Sequence, residues 1–408
     1  MISLLHLTTA AFDRLATGDG GPAAIGELQR AQVSKHLLLI RYLLEQFPDG
    51  GAELAGLLER ARTADPHRFA RVVGDPLVGG WTAIACRAAT RGVLAGTDRD
   101  HLAAITIVAA AAAGIDATLD IPVHGGLAVL PGWGAVEAGA AATMPVTAAS
   151  GRLITAGPVL PLRTLTAEAA GVPVRLTLDD LHPYRHGYED PPLNRLAEAD
   201  VAVWRDLFAR AWELLAGHLP ERAVEMTAGL RTLVPLAQLD ARSARSATLR
   251  HAFGVFGLTV PPTPHDFAVT LVHEFQHSKL SALLDLAVLT DPADDRRYFA
   301  PWRTDPRPLP GLLQGVYAFV GVADTWRALR GTVDVATARF AEARLQVDRG
   351  LTAIEESGSL TADGERFAAG LRQTADRLLA TVLPAAADDA ARARLARTFA
   401  LWREHNRV

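Results

Sequence analysis

Apolar positions recur at near-helical spacing in the first part of the chain. Ile25, Leu28, Val33, Leu37 and Tyr42 are set among Arg, Gln and Lys, as one buried stripe of an amphipathic helix requires. Gly74-Asp75-Pro76 breaks this pattern before Trp81. Leu102 to Ile115 is uncharged and alanine-rich. It falls short of the roughly 20 apolar residues a bilayer-crossing helix needs, so it predicts a buried helix. Residues 1–118 thus form a helical N-terminal region. From 119 the period changes. Gly125-Gly126, Pro131-Gly132 and Ser150-Gly151 mark turns, and Val172, Val174, Leu176 and Leu178 alternate with Pro173, Arg175 and Thr177, the period of a half-buried strand. Residues 119–194 therefore predict a small antiparallel β region, closing in a loop over 181–194 that carries Pro183, Gly187, Pro191 and Pro192. Helical spacing returns with Trp204, Phe208, Leu214 and Leu215. Residues 335–405 read as one or two charged helices broken near Ser357-Gly358. The expected fold is mainly α with a small antiparallel β region (α+β), and 195–408 is its helical metal-binding, catalytic region.

Composition narrows the function. The 408 residues are 49% hydrophobic and 21% charged, enough apolar matter for a sizeable core, and the formal net charge is -4. No run of basic residues stands out, so no nucleic-acid partner is expected. Cys86 is the one cysteine, which excludes an intrachain disulfide framework and a cysteine-held iron–sulfur cluster. Met1-Ile2-Ser3-Leu4-Leu5-His6 lacks the basic start of a signal peptide, and Asp13 interrupts the apolar run early. A cytoplasmic protein with no membrane association is expected.

The chemistry concentrates on one helix. Thr263 suits an N-cap, Pro264 the first helical position and Asp266 the third. The helix should run to about Leu289, before Thr290-Asp291-Pro292, with Phe267, Leu271 and Phe275 as its core stripe. His273 and His277 are four apart and share a face. Two imidazoles so placed can bind one divalent metal, and Glu274 lies beside it, able to move a proton from bound water. A zinc peptidase of the usual glutamate-liganded kind needs a further Glu on a later helix, yet the next glutamate is Glu342. Leu280 stands where the compact extended motif has glycine. Downstream, Tyr298 to Pro308 is a proline-pinned loop carrying Trp302, Arg303 and Arg307; either arginine suits a clamp for a carboxylate. On the helix expected from Leu312 to Leu329, Gln314 is the candidate to point toward the metal, with Asp324 as the alternative carboxylate. Ala318 and Gly321 would let that helix approach closely. Upstream, the hydroxyls of Ser243, Ser246 and Thr248 are read as turn caps rather than site residues. His36 is read as a half-buried histidine, and His182 and His186 as exposed loop histidines.

His273-Glu274-Phe275-Gln276-His277 followed by Ser278-Lys279-Leu280, Ala300-Pro301-Trp302-Arg303, Asp305-Pro306-Arg307-Pro308 and Gly311-Leu312-Leu313-Gln314-Gly315 together resemble one family. It is the HExxH-motif peptide-modification family of ribosomally made peptide natural products, whose members occur alone or fused to radical-SAM maturases. The resemblance extends to Leu28–Leu39 and to Asp75-Pro76 with Trp81, and is most specific over 240–330. It implies an Fe(II)- and 2-oxoglutarate-dependent dioxygenase that β-hydroxylates a side chain of a precursor peptide. His273 and His277 would then bind iron, Glu274 would ligate or orient, Gln314 would be a further candidate ligand, and Arg303 or Arg307 would hold 2-oxoglutarate. Such iron sites normally use two histidines and a carboxylate; the carboxylate is not identified in this sequence. A zinc peptidase removing a leader peptide, with Glu274 as general base, and a non-catalytic peptide-binding partner of a maturase are the competing readings.

Overall fold

The periodic N-terminal stretch folds as six helices: α1 (Thr9–Ala16), α2 (Gly21–Leu44), α3 (Gly51–Ala64), α4 (Pro66–Val73), α5 (Pro76–Thr90) and α6 (Gly96–Ala112). The computed structural model describes residues 6–47, 49–239 and 244–406. Each break has a local cause. Asp75 caps α5 by accepting the Leu77 N–H at 2.8 Å, with Pro76 just inside the helix. Every residue of α6 from His101 to Ala111 is buried, so the alanine-rich run is a core helix. None of the described helices is long and apolar enough to cross a membrane.

Eight strands follow: β1 (Ala117–His124), β2 (Leu127–Leu130), β3 (Gly134–Glu137), β4 (Thr143–Ala149), β5 (Arg152–Ile154), β6 (Val159–Pro161), β7 (Arg163–Ala169) and β8 (Val172–Leu178). The first six make an antiparallel sheet in the order β5-β4-β1-β2-β3-β6. Helical structure resumes with α7 (Glu198–His218) and α8 (Pro220–Gly229), and then three short strands intervene: β9 (Thr232–Pro235), β10 (Ser246–Thr248) and β11 (Val255–Leu258). These join β7 and β8 in a second sheet, β10-β11-β9-β8-β7, in which β9 runs parallel to both neighbours. The molecule is mainly α with an antiparallel β region, as expected, but the second sheet lies partly in the segment read as helical. Strands of three or four residues are too short to display a period.

The rest is α9 (Pro264–Leu283), α10 (Leu309–Ala328), α11 (Ala336–Glu355), α12 (Ala362–Leu379) and α13 (Ala385–Asn406). The expected break at Ser357-Gly358 is present. A second one precedes Ala385, so the C-terminal stretch is three helices rather than one or two. Helix α9 ends at Leu283, short of Leu289, and just beyond it Asp285 accepts from Gln32 at 3.0 Å and Lys35 at 2.7 Å on α2.

The packing cuts across the three sequence segments. Ala11 to Leu28 share one core with the C-terminal helices and the second sheet, while Ile40 to Ala148 enclose a separate core around α6 and the first sheet. The loop after β8 plugs into that second core. Asp179 accepts the N–H groups of Leu181 and His182 and turns the chain inward. His182 is therefore buried, not exposed as the loop composition suggested; His186 is exposed. The His182 ring lies 5.3 Å from that of His101, and Tyr184 contacts both. His36 is fully buried rather than half-buried, with Nδ1 at 2.8 Å from the Val73 carbonyl.

Candidate metal centre

Helix α9 begins as its cap residues dictate. The Thr263 hydroxyl accepts the Asp266 N–H at 3.1 Å and donates to the Asp266 carboxylate at 2.6 Å. Phe267, Leu271 and Phe275 are buried. So, against expectation for polar side chains, are Glu274, Gln276, Ser278 and Lys279, and each is matched by a partner, as burial demands. Lys279 donates to Glu225 at 2.6 Å and to the Gly18 carbonyl at 2.9 Å. Gln276 donates to the Gly18 and Tyr317 carbonyls. Ser278 accepts the Gly254 N–H at 2.9 Å. The polar part of α9 is thus tied to the turn after α1, to α8, to α10 and to the start of β11.

His273 and His277 are half-buried on the open face. Their Nε2 atoms stand 3.1 Å apart. His277 Nδ1 lies 3.1 Å from the Gln314 amide oxygen. A carbonyl oxygen only accepts, so His277 carries its proton on Nδ1 and its lone pair on Nε2, facing His273. Burial, and then His277, hold His273 down to about 4, with Glu274 pulling the other way. Two facing lone pairs at this distance would repel. An N–H···N hydrogen bond or a shared cation satisfies them. Two nitrogens bound to one metal at about 2.0–2.1 Å, at an angle between a right angle and the tetrahedral one, stand about 2.8–3.4 Å apart.

Glu274 Oε1 is 3.9 Å from His273 Nε2. Its two carboxylate oxygens are held from β10: Ser246 donates to one at 2.7 Å and Thr248 to the other at 2.6 Å. These hydroxyls are site residues and not turn caps. The sequence hid them because their strand pairs only in the folded sheet; Ser243 lies outside the described residues. Tyr188, from the loop after β8, was also missed. Its buried hydroxyl has no hydrogen-bond partner among the described residues, and burial followed by Glu274 pushes its pKa up.

Helix α10 closes against α9 through small residues. A methyl group at Gly321 would come within 2.9 Å of Val272 and 2.8 Å of Gln276. Gln314 meets Nδ1 of His277, not the Nε2 pair, and donates its amide to Ser281 at 3.4 Å. In this geometry it orients a ligand rather than serving as one. Asp324 is engaged away from the site, with Arg327 at 2.8 Å and Arg222 at 3.9 Å. Glu342 pairs with Arg394.

The proline-pinned loop is closed by reciprocal backbone hydrogen bonds between Tyr298 and Arg307. It reaches the site through Trp302, which stacks on Phe319 at 4.5 Å. Phe319 in turn stands edge-on to His273 at 5.7 Å. Arg303 and Arg307 instead face solvent and share Asp305, at 2.7 and 3.5 Å. The structure brings together His273, His277, Glu274 and Gln314, and leaves the two arginines paired outside.

Among the described residues no group of three or more His, Cys, Asp or Glu is arranged to hold a metal. The donor set fits a metal through two imidazole nitrogens 3.1 Å apart, the His277 lone pair fixed by Gln314, and Glu274 stands 3.9 Å from His273. Compared with models of known protein families and with curated proteins, the chain gives no significant match to either.

Proposed function

We propose that this chain is an Fe(II)- and 2-oxoglutarate-dependent dioxygenase that hydroxylates a side-chain carbon of a ribosomally made precursor peptide, in a cytoplasmic setting and with a radical-SAM maturase as partner enzyme. The observation that supports it most is the Nε2 pair 3.1 Å apart, with Gln314 on the outer nitrogen of His277 and, among the described residues, no third His, Cys, Asp or Glu arranged with the pair to hold a metal as the peptidase glutamate would. A zinc peptidase of the glutamate-liganded kind needs that glutamate and a base free to face water. Here Glu342 is paired elsewhere, and both Glu274 oxygens accept hydroxyl hydrogen bonds.

When bound, iron with 2-oxoglutarate and O2 supplies the oxidation of a C–H to a C–OH, with release of succinate and CO2. The chain's own residues do the rest. His273 and His277 would hold the metal, and Gln314 keeps the His277 lone pair aimed. Ser246 and Thr248 set the direction of the Glu274 carboxylate. Trp302 and Phe319 form an apolar wall beside His273, where a peptide side chain would be shielded from water. Arg303 or Arg307 would exchange Asp305 for a carboxylate of 2-oxoglutarate. An exposed ion pair is worth only about 0.2–1 kcal/mol, so that exchange costs little.

The test is incubation of anaerobically iron-loaded protein with the peptide encoded beside its gene, 2-oxoglutarate and air. Mass spectrometry should show an unshortened peptide with one added oxygen atom, formed only with 2-oxoglutarate and lost in His273→Ala. Peptide fragments formed without 2-oxoglutarate would establish the zinc peptidase instead. Binding with no mass change would establish a non-catalytic peptide-binding protein.

A further inference from the structure

A cleft of about 1500 Å³ lies on the other side of α9 from the histidines. Its inner wall includes Phe253 and Gly229. The Phe253 ring lies 6.4 Å from that of Phe275, and a methyl group at Gly229 would touch Phe275. Phe275 is two residues from both His273 and His277, which on a helix is about 200° around the axis. The cleft is therefore separate from the candidate metal centre: no α9 residue lines it, and Phe253 and Gly229 stand between it and Phe275.

Five arginines line it: Arg30 from α2, Arg68 and Arg71 from α4, Arg175 from β8 and Arg231 just before β9. The one carboxylate in the lining is Asp75, which is already committed to capping α5. Arg30, Arg71 and Arg175 have no hydrogen bond or carboxylate partner among the described residues. Arg231 donates to the Thr227 and Ala228 carbonyls at the end of α8. Arg68 has Asp65 at 3.4 Å. Arg71 stands near enough to Arg231 to lower its pKa, after burial. Like charges gathered with fewer counter-charges than cations, as Arg30, Arg71 and Arg175 are here, cost stability unless a ligand supplies them. Trp133 and Val33, both half-buried, add apolar surface to the same lining, which a free inorganic anion would not use.

We propose that this cleft binds an acidic, partly apolar peptide segment, its carboxylates on Arg71, Arg175 and Arg231 and its apolar side chains on Trp133 and Val33. That the ligand is a peptide rests on the proposed function; that it is anionic rests on the cleft alone. The site is a docking surface behind the catalytic helix. It would hold one part of a peptide while another part reaches His273 and His277.

The test is fluorescence anisotropy on the full chain without iron or 2-oxoglutarate, so its result does not depend on turnover. The probe is a short labelled peptide of alternating glutamate and leucine, with a lysine–leucine peptide as control. The acidic peptide should bind and the basic one should not. Arg71→Ala and Arg175→Ala should each weaken binding roughly tenfold to a hundredfold, the range for a lost charge-assisted contact. Both side chains are exposed, and unchanged thermal melting of the variants would establish that they fold. Any of four results overturns the proposal: no binding of the acidic peptide, equal binding of the basic one, wild-type affinity in both variants, or stronger displacement by pyrophosphate or a single-stranded oligonucleotide than by unlabelled acidic peptide.

Discussion

The two nitrogens of His277 have different tasks: Nδ1 is spent on Gln314 and Nε2 faces His273. Removing the partner of the outer nitrogen frees the ring to rotate and to change tautomer. Gln314→Leu should therefore lower metal affinity about 10- to 100-fold. Chelator competition with Co(II) measures it, and equal affinity would make Gln314 a packing residue only. Arg303 and Arg307 are tested through the residue they share. If either holds 2-oxoglutarate, Asp305→Asn releases it and should lower the apparent 2-oxoglutarate requirement, whereas Arg303→Ala or Arg307→Ala should raise it roughly ten- to a hundredfold. A requirement unmoved by all three substitutions would place the cosubstrate elsewhere. Asp305 is held below the usual carboxylate range chiefly by Arg303, so the ion pair persists at neutral pH.

At the scale of elements, the site depends on how closely α10 can approach α9 and the Trp302 loop. A methyl group at Gly315 would overlap the Trp302 ring, whereas one at Gly311 would sit 3.4 Å from Arg307 Nε, on a flexible side chain. Gly315→Ala must push Trp302 off Phe319, and with it the wall beside His273. It should cost roughly 1–3 kcal/mol in denaturant unfolding, while Gly311→Ala should be nearly neutral. Equal costs in the two variants would show that Trp302 is not seated against α10 in solution.

At the scale of the molecule, stability should fall on acidification through the imidazoles enclosed between α6 and the loop after β8. His182 is lowered from 6.5 to about 3 by burial first, then by Arg185, His124 and His186. His101 is lowered well below 6.5 by burial, then by His182 and His124. Both folded values lie below the unfolded one. The neutral forms are favoured in the folded state, so stability is fully present above pH 6.5. Below it the unfolded chain takes up protons that the folded one refuses, at about 1.4 kcal/mol per pH unit for each histidine. Asp75, raised to about 6 by burial, acts in the opposite sense, since its protonation relieves a buried charge. Asp98 accepts the Tyr184 hydroxyl at 2.7 Å and opposes the lowering of His124, which burial dominates. His182→Gln keeps an acceptor for the Tyr184 N–H but cannot titrate. Its melting temperature should fall less steeply than wild type as pH drops from 6.5 toward the His36 value of about 4. Identical slopes would mean that His182 is not buried in solution.

Local information was enough for the start of α9, because Thr263, Pro264 and Asp266 act on their own backbone, and for the pairing of His273 with His277, because helix geometry alone sets it. It was enough for the buried α6 and for the strand rhythm of β8. It did not reach β9 to β11, whose three or four residues are strands only because β8 supplies a parallel edge. Nor did it reach Ser246 and Thr248, which meet Glu274 across a contact between sheet and helix, or His182, which two Asp179 hydrogen bonds turn inward. Arg303 and Arg307 read in sequence as a clamp for a carboxylate; the closed loop gives both of them the carboxylate of Asp305. The five arginines of the cleft come from four separate segments, so no basic run betrays them. Side chains that answer to their own turn of helix or strand are legible one residue after another. Those whose partners are brought from distant segments acquire a role only when the chain has closed.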